Sequence, residues 1–216
     1  MRRLLLPALI VPVLFSFPSS AAQARRAGTT VKLVAYSTPK PVLQKLISRF
    51  GHQPAGEGVS FTQSYGPSGS QARAIVAGQP ADVAFLSTGL DIDTIADAGL
   101  VSKAWTSAPY GGIAADSVVA FVVRPGNPKH IHGWQDLVKT GVKVVTPNPF
   151  SSGSAKWNVL AAYGEARKSG LSDHKAAQFV TKLFKHVVAQ DPSGSTAANT
   201  FFSGQGDVLI TYESEA

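Results

Sequence analysis

The sequence has no cysteine. That excludes disulfides, and it excludes anchoring through a lipidated cysteine. The fold must therefore be held by its core alone. Charged residues are also scarce, at 15% of the chain against roughly 25% in an average soluble protein. The five histidines fall in no zinc-ligand spacing, and no phosphate-loop lysine motif is present. No metal, no cofactor and no enzymatic activity are expected. Disorder is excluded too, because aromatic and β-branched residues recur throughout.

What is present is a 216-residue chain, 44% hydrophobic, with 20 glycines and 14 prolines. This is enough for a real core and for one or two domains. The N-terminus reads as a targeting segment. "MRR" is a basic start, "LLLPALIVPVLFSF" is an apolar stretch too short and proline-broken to span a bilayer well, and "SSAAQA" offers Ala22 and Ala24 at signal-peptidase spacing. Residues 1–24 are read as a signal peptide, which places the protein in the periplasm or otherwise outside the cytoplasm. The formal charge is +7, and losing Arg2 and Arg3 lowers it by two, to +5. The basic residues are scattered, which suits a small anion or a merely basic surface better than a nucleic-acid groove.

Beyond the leader, short apolar strands alternate with amphipathic helices. "VKLVAYS", "VSFTQS", "ADVAFLS", "DSVVAFVV", "VKVVTP" and "GDVLITYE" read as strands. "PVLQKLISRF" sets Val42, Leu43, Leu46, Ile47 and Phe50 on one helical face, and "SAKWNVLAAYGEARKSG" and "DHKAAQFVTKLFKHV" also read as helices. Such alternation predicts an α/β fold with mostly parallel sheets. "VAGQPADVAFLS" and "FSGQGDVLITYE" echo each other, each passing from a glycine through Asp82 or Asp207 into a strand. Two lobes on related plans account for the echo, residues 25–116 and 117–216, with the boundary near Ala115–Val119.

In open α/β sheets, ligands sit at the carboxyl ends of strands. Four segments at such ends are "YSTPKP", "SYGPSGSQ", "TPNPFSSGSAK" and "DPSGSTAAN". All are rich in Ser, Thr, Gly and Pro, and only Asp191 is acidic. Taken singly they read as helix caps. Taken together they read as an anion site, because helix N-termini offer free N–H groups and partial positive charge. Sulfate needs only donors, whereas hydrogen phosphate also needs an acceptor, so loops without acids favour sulfate. Asp191 is read as a helix N-cap, Lys156 and Arg73 as solvated, and Trp134 and Trp157 as core.

With these motifs in view, the chain resembles the periplasmic sulfate-binding proteins, the substrate-binding components of sulfate/thiosulfate ABC transporters. "TPNPFSSGSAKWNVLAAYG", "SYGPSGSQARAIVAGQPADV", "VVRPGNPKHIHGWQDLV" and "GDVLITYESEA" carry the resemblance in order, over about residues 31–216. It implies a two-lobed type II periplasmic-binding-protein fold closing on a buried sulfate held by neutral donors. The implied donors are the Ser68 backbone N–H, the Ser152 hydroxyl, the Gly153 and Ser154 backbone N–H groups, and Gly194 or a neighbour. Ser37 stands, with Thr38, where the family usually has an acid. Ser154 stands for a second glycine and Tyr212 for a tryptophan donor, and the fourth loop lacks the usual arginine. The resemblance also implies a monomer that delivers its anion to a membrane permease. Relatives continue for roughly a third of their length beyond this motif, so the sequence reads as C-terminally truncated. The alternatives are another oxyanion, such as thiosulfate, molybdate or phosphate, and an exported serine hydrolase, since "GPSGS" approaches a nucleophile elbow but has Ser70 for its second glycine.

Overall fold

The computed structural model describes residues 28–216. The signal-peptide reading of residues 1–24 lies outside the described residues. In chain order the elements are β1 (Thr29–Tyr36), α1 (Lys40–Gly51), β2 (Val59–Gly66), α2 (Ser68–Val76), β3 (Val83–Phe85) and α3 (Gly89–Asp97). After a stretch of turns come β4 (Val119–Val123), β5 (Val144–Pro147), α4 (Gly153–Lys168), α5 (Asp173–Phe184), β6 (Val187–Asp191), α6 (Gly194–Phe202) and β7 (Val208–Tyr212).

The strands form two sheets. The first is ordered β2-β1-β3 and is wholly parallel. The second is ordered β4-β7-β5-β6 and is parallel except that β4 runs antiparallel to β7. The chain is thus α/β with mostly parallel sheets flanked by helices. Strands covered on both faces need continuous apolar runs. That is why "LVA" in β1 and "VLITY" in β7 are buried throughout. The larger core lies in the second half, where Leu137, Val144, Ala162, Phe179, Leu183 and Ile210 pack together and Trp134 meets Phe121 edge-on at 4.8 Å. The first half has a smaller core of Val34, Ala72, Ile75 and Ile95.

The internal echo has a physical basis. Gly78 and Gly204 both end helices at positive φ, +102° and +107°, where glycine carries no Cβ penalty. Asp82 then exchanges backbone and side-chain bonds with Lys32 across the sheet: Asp82 N–H donates to Lys32 O at 2.9 Å, and Lys32 N–H donates to Asp82 Oδ2 at 2.8 Å. Asp207 repeats this with Lys143 at 2.7 and 2.8 Å. Each aspartate fixes the register of a parallel strand at its entry.

Two readings shift. The stripe Val42, Leu43, Leu46, Ile47 and Phe50 does form a helix, but α1 buries none of its residues. It lies beside the edge strand β2, where Phe50 meets Phe61 edge-on at 6.0 Å, and so gains cover on one side only. The helix read through Val187 ends at Phe184, because the β-branched Val187 pairs with Val144 and opens β6 instead.

Candidate oxyanion-binding site

The Ser/Gly loops start helices as their composition requires. The Ser152 hydroxyl caps α4 by accepting from Ala155 N–H at 3.5 Å, and it lies 2.8 Å from the Ser154 hydroxyl in a buried pair. Ser193 caps α6 in a reciprocal box with Thr196, whose hydroxyl accepts from Ser193 N–H at 3.0 Å. Thr88 caps α3. The starts of α2 and α4 abut, for Gly69 N–H donates to Ser151 O at 3.0 Å. Helices from different sheets therefore point their N-termini at one junction.

Asp91, on α3, lies at the centre of that junction and is 2% exposed. It accepts from the Ser68 hydroxyl at 2.6 Å and pairs with Lys156 Nζ at 2.6 Å. Ser68 Oγ also accepts from Ser87 N–H at 3.0 Å, so its side chain is committed and its backbone N–H is the group left to a ligand. Trp157 Nε1 donates to Ser87 O at 3.0 Å. The Ser87 hydroxyl is buried without a well-formed partner beside the Tyr212 phenol. A Cβ on Gly153 would lie 2.0 Å from Ser87 Oγ and 3.1 Å from Asp91 Oδ2, so a side chain there must displace the Ser87 hydroxyl. Burial pushes the Tyr212 phenol up, helped by the nearby Tyr36, Glu215 and Asp91 and opposed by Ser87. It remains a neutral donor across physiological pH.

A second group of residues includes Glu215, which also lies near Tyr212. The Ser195 hydroxyl donates to Ser37 Oγ at 3.1 Å, tying the α6 start to the loop after β1. The Glu215 carboxylate accepts from the Thr38 hydroxyl at 2.6 Å and from Thr211. It lies against Gly194, where a Cβ would meet Glu215 Oε2 at 2.6 Å.

The structure thus brings Ser68, Ser152, Gly153 and Ser154 together at one junction and Ser37 and Gly194 at a second, with Tyr212 beside residues of both. Sequence reasoning missed Ser87, Asp91 and Glu215. "LSTGLD" carried the same Ser/Thr/Gly cap signal as the other loops, so Ser87 and Asp91 were discoverable there. Glu215 had no such signal, since only the return of the chain past β7 brings it in. The four loops are poor in acid, yet carboxylates reach the site from outside them, Asp91 from α3 and Glu215 from beyond β7. Asp191 does not cap α6, as Ser193 does. Its Oδ1 instead accepts from Thr200 Oγ1 at 3.0 Å, farther along α6. Lys156 is in the Asp91 pair rather than solvated, and Trp157 is 44% exposed rather than core.

No serine–histidine pair forms around Ser68, whose hydroxyl goes to Asp91; His52 bonds Ser48 O, and His186 bonds Val142 O. Among the described residues no cluster of acids and histidines suits a metal. Two open apolar cavities lie elsewhere: one of about 360 Å³ between α4 and α5 around Leu160 and Tyr163, and one of about 230 Å³ around Ile95 and Trp105. Neither is lined by the junction residues.

Comparison with known proteins addresses the family and the fold. Residues 31–216 match the family described as bacterial extracellular solute-binding protein. The chain is 44% identical to the sulfate-binding protein of Synechococcus elongatus over 191 residues, which is 86% of this chain and 54% of that protein. It is 42% identical to the thiosulfate-binding protein of Pseudomonas aeruginosa over 84% of this chain and 54% of that protein. Among solved structures, the sulfate-binding protein SubI from Mycobacterium tuberculosis superposes with a TM-score of 0.82 at 44% identity, over 87% of this chain and 66% of that one. A periplasmic thiamin-binding protein shares the fold at 19% identity and a TM-score of 0.61. The chain spans about half the length of the curated relatives it matches. On this match and on its paired α/β sheets, the chain belongs to the bacterial extracellular solute-binding protein family.

Proposed function

We propose that this protein captures a tetrahedral dianion, sulfate first, outside the cytoplasm and passes it to the membrane permease of an ABC transporter. The observation that carries this reading is the meeting of the α2 and α4 N-termini beside the buried Ser87 hydroxyl, with Tyr212 near both that hydroxyl and the Glu215 carboxylate at the α6 N-terminus. The ligand donors in this reading are Ser37, the Ser68 backbone N–H, the Ser152 hydroxyl, the Gly153 and Ser154 N–H groups, Gly194 and Tyr212, with Ser87 added. Neutral donors suffice: each charge-assisted hydrogen bond contributes about 1.5–3 kcal/mol net, and each helix terminus adds up to ~2 kcal/mol.

Residues 25–116 and 117–216 act in this reading as two lobes of an exported monomer, a division supported by sheets that share no strand. Thiosulfate is the second candidate, because a relative at 42% identity carries that name. Calorimetry with sulfate, thiosulfate, molybdate and phosphate tests the proposal. Sulfate or thiosulfate should give saturable heat, and ligand at ~100 times its Kd should stabilise the fold by about 2.7 kcal/mol. No heat and no stabilisation with any of the four overturns it.

A further inference from the structure

Glu215 lies in the site in a way that none of the donor roles explains. Its carboxylate lies at the N-terminus of α6, close enough to Gly194 that a single added methyl would collide with both oxygens, at 2.6 and 2.8 Å. It is held by hydroxyls from opposite sides, Thr38 after β1 and Thr211 in β7. Among the described residues it has no basic partner within ion-pair distance. Asp91, the other carboxylate of the site, differs in this respect, since Lys156 neutralises it. A carboxylate without a basic partner at a helix N-terminus lies in the partial positive charge that an oxyanion would use.

We propose that Glu215 is an intramolecular competitor: its carboxylate occupies the α6 end of the site, and an incoming dianion must displace it. This rests on the reading above, in which α6 contributes donors to the oxyanion. Two consequences follow. A dianion taking up the Gly194 and Ser195 N–H groups meets a like charge unless Glu215 swings away, so the carboxylate lowers affinity. The ligand-free protein in turn has a carboxylate beside the partial positive end of α6 without an anion.

The test is sulfate calorimetry and thermal unfolding of the protein and of Glu215→Gln, which keeps the size and removes the charge. The expected result is a sulfate Kd at least tenfold lower in the variant, together with a lower Tm in the absence of anion. Unchanged or weaker sulfate binding in Glu215→Gln overturns the proposal, including the case where Tm also falls, since that is what a merely structural role would give. Thr211→Val provides a second route should Glu215→Gln fail to fold. It removes one tether from the carboxylate in a strand position that favours valine, and sulfate binding should tighten by a smaller factor. Unchanged or weaker binding there also counts against the competitor. Absence of sulfate binding in all of these proteins overturns the oxyanion reading itself, an outcome distinct from equal affinities.

Discussion

Gly153 shows how much one missing side chain decides. Any Cβ there would occupy the place of Ser87 Oγ, 2.0 Å away, with Asp91 Oδ2 and Thr88 Cγ2 each at 3.1 Å. Gly153→Ala should therefore turn the Ser87 hydroxyl out of its place or push the α4 start away from the β3–α3 loop. The expected outcome is a sulfate affinity reduced at least a hundredfold by calorimetry, with a stability loss of about 1–3 kcal/mol from overpacking by urea titration. Affinity within threefold of the unmodified protein would show that the junction is not where the anion binds. Much at this scale was legible in the sequence. Ser152, Gly153 and Ser154 announce a helix start by composition, because a small hydroxyl at the cap and glycine beside it have few other uses. Glu215 was not legible, because its partners lie 177 and 4 positions away and nothing local marks it as inward-facing.

At the scale of elements, short polar clamps do much of the positioning. Asp136 closes the 3-10 turn Trp134–Val138 that leads Leu137 into the larger core. Its carboxylate is held down to a pKa of about 2, first by Lys139 and then by the His132 and Gly133 N–H groups. A depressed carboxylate stabilises the fold above its unfolded pKa and loses that contribution as pH falls through the folded value. Unfolding midpoints of the protein and of Asp136→Asn should therefore differ at pH 7 and converge as pH drops from about 4 to about 2. A difference that stays constant through that window would assign the effect to packing. The Asp82 and Asp207 clamps were foreshadowed by the repeated Gly-Gln…Asp-Val pattern, since a repeat in sequence repeats the same local bonds. The exposure of α1 was not foreshadowed. Its periodicity specifies a helix with an apolar stripe but says nothing of how much surface is available to cover it.

Across the whole molecule the two sheets are joined at the junction by side chains as well as by chain. Lys156 from α4 reaches Asp91 on α3, and Trp157 reaches Ser87. Lys156→Ala leaves the Asp91 carboxylate buried and unpaired, and should cost about 3 kcal/mol or more. Adding Asp91→Asn should recover part of that loss, because the charge requiring a partner is gone. Additive losses in the double variant, read from urea midpoints, would show that the pair is not coupled. Within the second sheet the main chain adds contacts beyond the strands themselves. Glu213 N–H donates to Val118 O at 2.9 Å, and the Ser117 and Ser214 hydroxyls lie 3.5 Å apart, so the segment entering β4 and the segment leaving β7 run side by side. Contacts that continue past the last strand residues lengthen the β4–β7 pairing at the end of the sheet that faces the junction, so the ends of the two strands are held against fraying there.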